Sequence, residues 1–235
     1  MSSSCDVCVV RNRAVCSTLP DVELLALNRM GRQQSLGRGQ TLMWEGDEAL
    51  LVANVLEGVL KLSTSTSDGR EQIVGLVYPS DFIGRPFGDQ SKHSVTALTD
   101  ARVCVFTRQA FDSFARRHPE LEHRLLEHTL NELDRARTWM LLLGRKTAGE
   151  RVASLLLEMS NRLVEESCEG RATPLNRFEL PLTRQQMADV LGLTIETVSR
   201  QLTKLKKEGV VALPSLKRIE ILDRKRLETM AESSS

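Results

Sequence analysis

The chain has 235 residues, which is enough for two domains that each bury a core of their own. Its 32 lysines and arginines against 31 aspartates and glutamates give a net charge of +1, so a nucleic-acid contact requires a local basic patch. No run of about 18 apolar residues occurs, and the first residues lack the features of a signal peptide. We therefore expect a cytoplasmic protein without a membrane segment.

Cysteines are concentrated at the start of the chain. Cys5, Cys8 and Cys16 lie close together, and Cys104 follows within an apolar alternation. Reduced cytoplasmic thiols in an odd number favour metal ligands over disulfides, and four thiolates suit zinc or an iron–sulfur cluster. Other interpretations stay open: Cys5 and Cys8 also fit a thiol redox pair or half of a zinc site, and Cys104 fits a buried structural cysteine.

The next hundred residues change from a helical to a strand pattern. Apolar spacing predicts a short helix over residues 19–30. Short alternating runs separated by glycine follow, and they predict strands over residues 41–44, 52–62, 72–77, 95–98 and 102–106. Many short strands at this spacing indicate an antiparallel β-roll or jelly roll.

A long helix is predicted after Pro119. Its apolar positions recur at alternating intervals of three and four residues, which is the pattern of a coiled-coil seam. The expected seam contains Leu126, Thr129, Leu133, Ala136, Met140 and Leu143. A helix packed on its own barrel is the simpler interpretation, but a narrow seam flanked by charges favours a homodimer interface. A further helix is predicted over residues 147–164.

The C-terminal part has the pattern of a winged helix-turn-helix. Thr183 and Gln186 form a capping box, Gly192 allows a tight turn, and Thr194 caps a second helix. Val198, Leu202 and Leu205, together with Ile195, are expected to face inward, and two short strands after Gly209 form the wing. The expected DNA-binding residues are Thr183, Thr194, Glu196, Thr197, Ser199, Arg200, Lys204 and Lys207.

The exposed side of the second helix carries the groups that read base edges. Arg200 offers two donors to guanine, Glu196 accepts from an exocyclic amine, and Ser199 serves several edges. Lys204 and Lys207 lie where phosphates are expected. The alternative is that Glu196 and Arg200, four residues apart, only pair with each other on a solvated helix face.

The order of β-roll, long helix and winged helix-turn-helix resembles the Crp/Fnr family of bacterial transcription regulators. The stretch from Leu191 to Arg200 closely matches the recognition helix of that family, and Glu196, Ser199 and Arg200 match its Fnr branch. The cysteine arm resembles the alphaproteobacterial Fnr-type oxygen sensors. This resemblance implies an α+β fold with segments 1–18 (cluster arm), 19–118 (β-roll), 119–145 (dimerisation helix) and 146–235 (DNA-binding domain).

The resemblance also implies a function. A homodimer would carry one [4Fe-4S] cluster per subunit, bound by Cys5, Cys8, Cys16 and Cys104, and bind palindromes with TTGAT-type half-sites. Most such regulators activate transcription by contacting RNA polymerase. Cys168 matches no ligand of the family. The remaining alternatives for the sensor are zinc, a thiol redox switch, or a β-roll that binds a small ligand.

Two other classes of protein are not expected. The cyclic-AMP-binding relatives hold the ribose with a carboxylate and the phosphate with an arginine, whereas this chain has Gly84-Arg85-Pro86-Phe87-Gly88 and His93-Ser94 in the corresponding places. We therefore expect no cyclic nucleotide. The sequence contains no phosphate-binding loop, nucleophile elbow or zinc-protease motif, so we expect no enzymatic activity.

Overall fold

The computed structural model describes residues 8–65, 67–69, 71–163, 165–166 and 172–232. Cys5 and Cys168 lie outside these described residues. The chain divides into two compact units, Met1–Ala136 and Arg137–Ser235, and the longest helix continues across the division. Among the described residues, no helix is both long enough and apolar enough to span a membrane.

Strands dominate the first half of the described chain, and helices dominate the second half. A 3-10 turn, Val15–Thr18, precedes the first α-helix. The α-helices are α1 Asp21–Met30, α2 Arg108–Ala115, α3 Pro119–Arg145, α4 Ala148–Arg162, α5 Arg184–Leu191, α6 Ile195–Lys207 and α7 Arg224–Ala231. The strands are β1 Gly31–Leu36, β2 Thr41–Met43, β3 Leu51–Glu57, β4 Leu60–Ser65, β5 Glu71–Val77, β6 Phe82–Gly84, β7 Ser94–Ala97, β8 Ala101–Thr107, β9 Glu165–Glu166, β10 Ala172–Thr173, β11 Arg177–Glu179, β12 Val211–Ala212 and β13 Arg218–Ile221.

Two antiparallel sheets of four strands form the β-roll, in the orders β1-β8-β3-β6 and β2-β7-β4-β5. Inward-facing aliphatic side chains of both sheets make one core, since alternate residues of a strand point to the same face. This core includes Leu36, Ala53, Val55, Leu60, Ile83, Val95, Val103 and Val105. The architecture confirms the α+β fold with an antiparallel β-roll, a long helix and a winged helix-turn-helix.

The outer face of the first sheet is also covered. Phe106 of β8 packs there with residues of α1, of α2 and of the start of α3. These residues are Leu24, Leu27, Phe111, Phe114, Ala115 and Leu121. Val103 and Val105 occupy the inner core, so Cys104 between them points to this outer face. The strand alternation thereby places one thiol on the side of the sheet where the N-terminal arm lies.

The predicted strand over residues 52–62 is wrong, because two strands occupy that range. Gly58 has φ +83°, and a Cβ there would lie 2.4 Å from the carbonyl oxygen of Asp100. The chain therefore turns between β3 and β4 at a position that excludes a side chain. Helices α2 and α7 and strands β1, β6 and β11 were not predicted from the sequence.

In the second unit, α4 packs against α6 and α7. Arg151 of α4 donates to three backbone carbonyls, at 2.8 Å to Leu143, 2.9 Å to Lys146 and 2.9 Å to Leu191. These oxygens lie at the end of α3, before α4 and at the end of α5. One guanidinium thus satisfies carbonyls that helix termini leave without partners, and it joins the end of the long helix to the helix-turn-helix.

Candidate metal centre and nucleic-acid interface

Three of the four predicted metal ligands line one pocket, here called the thiol pocket. Cys8 and Cys16 come from the N-terminal arm, and Cys104 comes from the outer face of β8. The remaining lining residues are Val10, Ala14, Leu24, Leu27, Asn28, Gln33, Asn54, Leu56 and Phe106. The fourth predicted ligand, Cys5, lies outside the described residues. The structure therefore brings thiols that are about 90 positions apart in sequence to one mostly apolar place.

The arm is held over the sheet by its own small apolar residues. Val10, Ala14 and Val15 are each at most 1% exposed, and Val10 and Ala14 pack with Leu56 of β3. Backbone hydrogen bonds from Arg13 and Ala14 to the carbonyl of Val10 form a tight turn between Cys8 and Cys16. This turn folds the segment between the two cysteines back, so that both thiols face the pocket.

The spacing of the three sulfur atoms differs from that of a single-ion site. Among the described residues, one group of three potential ligands has all its ligand atoms within 4.8 Å of one another, and it consists of Glu23, His118 and Glu120. Thiolates on one tetrahedral zinc lie about 3.8 Å apart, as follows from a Zn–S distance of about 2.3 Å. The cysteines of the thiol pocket are therefore spread more widely than a closed zinc site requires.

Side chains of α3 hold the arm next to the thiol pocket. Arg124 donates to the carbonyl of Arg13 at 3.5 Å, and His128 forms a hydrogen bond with the Arg13 backbone. The hydroxyl of Thr18 donates to the carbonyl of Glu120 at 3.5 Å. Burial, and next the positive charge of Arg124, lower the pKa of His128 below its ordinary value. His128 is consequently a neutral contact of the arm at neutral pH.

We expect acid to weaken this part of the protein through His128. Its unfolded pKa is about 6.5 and its folded pKa is lower, so the unfolded chain binds the extra proton as the pH falls and stability decreases. Urea unfolding at about pH 7.5 and about pH 5.5 measures the loss. His128→Gln, which keeps a neutral donor, should lose less stability over this range. Equal losses in both proteins would contradict the assignment.

The β-roll contains a separate cavity of about 240 Å³. Its lining combines apolar residues with polar groups, among them Gly84, Arg85, Lys92 and His93. Gly84 has φ +101°, and a Cβ there would lie 2.7 Å from the carbonyl oxygen of Leu51. The cavity thus includes both sequence segments that were compared with nucleotide-binding relatives.

The predicted seam of α3 is exposed in the single chain. Leu126, Leu133, Met140 and Leu143 are 54%, 44%, 73% and 37% exposed, and Ala136 and Thr129 are also exposed. Leu130 and Leu141, which the heptad pattern omitted, are exposed as well. A row of large apolar side chains in water is unfavourable and is typical of a surface that binds another protein.

The two helices of the DNA reader begin and end as the sequence predicts. At α5 the Thr183 hydroxyl accepts from the backbone N–H of Gln186 at 3.2 Å, and the Gln186 side chain accepts from the N–H of Thr183 at 2.9 Å. Gly192 has φ +59° and forms the turn. The Thr194 hydroxyl accepts from the N–H of Thr197 at 3.3 Å and caps α6. These caps satisfy backbone N–H groups at the start of each helix and fix where the helix begins.

The first turns of α6 present Glu196, Ser199 and Arg200 to solvent. Within the described part of the chain, Glu196 and Arg200 form no ion pair, and Arg200 donates instead to the Thr197 hydroxyl at 3.5 Å. Hydrogen bonds from its own backbone N–H and from the Thr194 side chain lower the pKa of Glu196, so it is ionised at neutral pH. The alternative that these two residues only pair with each other is not supported.

A groove with basic side chains runs along the exposed face of α6. It is lined by Ser199, Arg200, Thr203, Lys204, Lys207 and Glu208. Val198, Leu202 and Leu205 are buried as predicted, but Ile195 is 38% exposed, so the prediction that it faces inward is wrong. Ile195 is the first residue of α6, where the helix has just left the turn and its inner face is not yet covered.

An exposed helix that carries Glu196, Ser199 and Arg200, capped behind a short turn and followed by a β-hairpin, is the arrangement of the winged helix-turn-helix class of DNA-binding proteins. Known proteins agree with this class. The family model of the Crp-like helix-turn-helix domain matches residues 150–230, and that of the cyclic nucleotide-binding domain matches residues 33–118.

Whole-chain relatives extend the match. Transcriptional activator protein FnrL of Cereibacter sphaeroides is 46% identical over 223 residues, which cover 95% of this chain and 90% of FnrL. Nitrogen fixation regulation protein FixK of Bradyrhizobium diazoefficiens is 40% identical over 227 residues, with 97% and 93% covered. The structure of FixK2 from Bradyrhizobium japonicum superimposes with a TM-score of 0.78 at 31% identity, covering 87% of this chain and 99% of FixK2. The chain belongs to the Crp/Fnr family of transcription regulators.

Proposed function

We propose that this chain is an oxygen-responsive transcription activator. In the proposal, Cys5, Cys8, Cys16 and Cys104 bind one [4Fe-4S] cluster in each subunit of a homodimer. The dimer binds palindromes with TTGAT-type half-sites and activates genes for low-oxygen metabolism together with RNA polymerase. Reduced thiols and a DNA target are consistent with a cytoplasmic location.

The convergence of Cys8, Cys16 and Cys104 on the thiol pocket carries the proposal. Thiolates are the usual ligands of iron–sulfur clusters, and an apolar shell limits access of water to such a group. Cys5 precedes Cys8 by three positions, so the chain can supply a fourth thiolate from the same arm.

The proposed mechanism depends on how α3 holds the arm. Cys8, Cys16 and Cys104, together with Cys5, would hold the [4Fe-4S] cluster, which would supply an oxygen-labile attachment for the arm. The arm thiolates then fix the turn that presents the Arg13 carbonyl to Arg124 and His128 on α3. Release of the thiolates frees the turn and weakens those contacts. The first turns of α3 thereby gain or lose their contacts with the arm. This change would alter the free energy of pairing between α3 and the same helix of the second subunit.

The exposed seam supplies the proposed dimer interface. In a twofold dimer each seam residue lies close to its own copy, so a narrow row of leucine and methionine buries apolar area from both subunits. Pairing along α3 places two recognition helices about one DNA turn apart, as a palindrome requires. The seam carries no charge that would separate the helices, so dimerisation is less dependent on the cluster than an acidic seam would make it.

We expect the cluster-free protein to be a dimer at micromolar concentration and Leu133→Glu to convert it to monomer. Two carboxylates would face each other across the seam, and their repulsion and desolvation oppose pairing. Sedimentation of both proteins measures the change. Asn131→Glu is the matched control, because Asn131 is exposed on the same helix but off the seam. A wild-type protein that sediments only as monomer would contradict this prediction.

Metal content tests the sensor directly. Protein purified without oxygen should contain about four iron and four sulfide per chain and show a broad visible band that changes in air. Binding to a TTGAT-type palindrome should weaken over the same period. Colourless protein with zinc or free thiols, even after anaerobic reconstitution, would overturn the sensor and leave the DNA reader in place.

The cavity in the β-roll supports a second candidate, in which a small anion controls the regulator. Arg85 and Lys92 line the cavity and supply positive charge. Isothermal titration with cyclic AMP and other small anions tests this candidate. Binding of such an anion to cluster-free protein, together with tighter operator binding, would favour it over the cluster.

A further inference from the structure

Asn54 is a buried polar residue directly beside Cys104. The two residues are cross-strand partners in the antiparallel pair of β3 and β8, so their side chains extend from the same face of the sheet. Asn54 is 2% exposed, and both residues line the thiol pocket. The carboxamide of Asn54 is therefore closed off from solvent within reach of the pocket.

The side-chain oxygen of Asn54 is buried and has no hydrogen-bond partner within the described part of the chain. Its neighbours in the pocket include Val10, Ala14 and Leu56, which offer no polar side-chain group. An unpartnered buried polar atom destabilises a fold and calls for an explanation. An aliphatic residue here would avoid that cost, so the carboxamide points to a partner that occupies the pocket.

The second carboxamide beside Cys104 has a different environment. Gln33 of β1 pairs with Cys104 from the other side of β8 and also lines the thiol pocket. Gln33 is exposed, so water can satisfy its polar atoms. Between these two neighbours, Asn54 is the one whose polar group depends on what the pocket holds.

Sulfur ligands of an iron–sulfur cluster accept hydrogen bonds, so they require an N–H donor and not an oxygen. A half-turn of the carboxamide about its last bond exchanges its oxygen and nitrogen and puts two N–H donors in the unpartnered position. Such hydrogen bonds stabilise the more negative, reduced form and raise the reduction potential. A cluster that has this support is harder to oxidise and lasts longer in air.

We propose that Asn54 is a positioning residue that donates a side-chain N–H to the Cys104 sulfur, or to a neighbouring sulfide, of the bound cluster. This inference rests on the proposed function. In this role Asn54 orients the Cys104 side chain and slows the loss of the cluster in air. The rate of that loss determines how readily the regulator responds to oxygen.

The test compares Asn54→Leu with Gln33→Leu. Leucine has the same number of side-chain heavy atoms and the same branching as asparagine but no polar atom, and both variants lie next to Cys104. In anaerobically loaded full-length protein, Asn54→Leu should lose its visible band in air about tenfold faster than wild type and have a lower cluster reduction potential. Gln33→Leu should stay close to wild type, because water replaces its amide. Asn54→Thr keeps one hydrogen-bond donor and should lose its visible band at an intermediate rate. This variant provides the same test if Asn54→Leu does not fold.

Two further readouts separate this role from a purely structural one. Resonance Raman bands of the iron–sulfur bonds should shift on deuterium exchange in wild type and shift less in Asn54→Leu. The melting temperature of the cluster-free protein should not fall in Asn54→Leu, because the substitution removes an unpartnered polar atom. A lower melting temperature, or bleaching at the wild-type rate with a full cluster, overturns the inference alone. Wild-type protein that binds no cluster overturns the proposed function together with it.

Discussion

Cys104→Ser should abolish cluster binding and leave the fold intact. A serine hydroxyl is a hard, protonated ligand that does not replace a soft thiolate on iron. The side chain at position 104 points away from Val103 and Val105 in the β-roll core, so the change of one atom should alter the free energy of unfolding by no more than about 1 kcal/mol. Iron and sulfide analysis after anaerobic reconstitution, with urea unfolding of the cluster-free protein, measures both effects.

Cys168→Ser is the matched control for Cys104→Ser. The same atom is exchanged at a cysteine that the sequence excludes from the ligand set, so about four iron per chain should remain. Retention of a full complement of iron by Cys104→Ser would remove this residue from the ligand set. Loss of iron in both variants would show that Cys168 takes part.

Arg200→Ala should cost about 1–3 kcal/mol of binding free energy at each half-site, because the guanine loses a bidentate partner. The two half-sites of a palindrome are far enough apart for the costs to add, which gives about 2–6 kcal/mol for the dimer. Fluorescence anisotropy with a TTGAT-type palindrome, and with the guanine replaced, measures the loss of specificity. The variant should discriminate less between the two sites than wild type does.

Lys207→Ala provides the comparison for Arg200→Ala. Lys207 lies on the same groove but at the end of α6, where phosphates are expected. Its loss should weaken binding to all sequences alike. The slope of the logarithm of the binding constant against the logarithm of salt concentration should become less steep by about one unit per subunit. If Arg200→Ala weakened specific and random DNA equally, Arg200 would be a phosphate contact and the base-reading assignment would be wrong.

The sequence predicted best where the physical requirements are local, because neighbouring residues then carry the whole pattern. Helix α6 needs a cap, a buried face and an exposed face within 13 residues, and Thr194, Val198 and Arg200 meet these three needs. The heptad spacing predicted one long helix after Pro119, and α3 is a helix of 27 residues. The four-cysteine set came from the resemblance to the Fnr-type sensors, and of its members the structure describes Cys8, Cys16 and Cys104.

Other features depend on contacts that the sequence does not reveal. Strand β1 contains mostly polar residues and only one buried side chain, so alternation is absent and its position comes from pairing with β8. Asn54 lies inside an apolar run, and nothing local shows that its partner across the sheet is Cys104. The contact of His128 with the arm joins segments more than 100 residues apart, which a helical spacing pattern cannot indicate.

The three hydrogen bonds of Arg151 have a consequence for how a signal could reach DNA. The last turns of α3 and the end of α5, just before the turn that leads into α6, both bond to one guanidinium, so a displacement of either one strains its bond to Arg151. Lysine has one ammonium in place of a planar fork and could not bond the same three carbonyls together. Arginine at position 151 therefore ties the end of α3 to the helix-turn-helix, and Arg151→Lys should loosen that connection while keeping the charge.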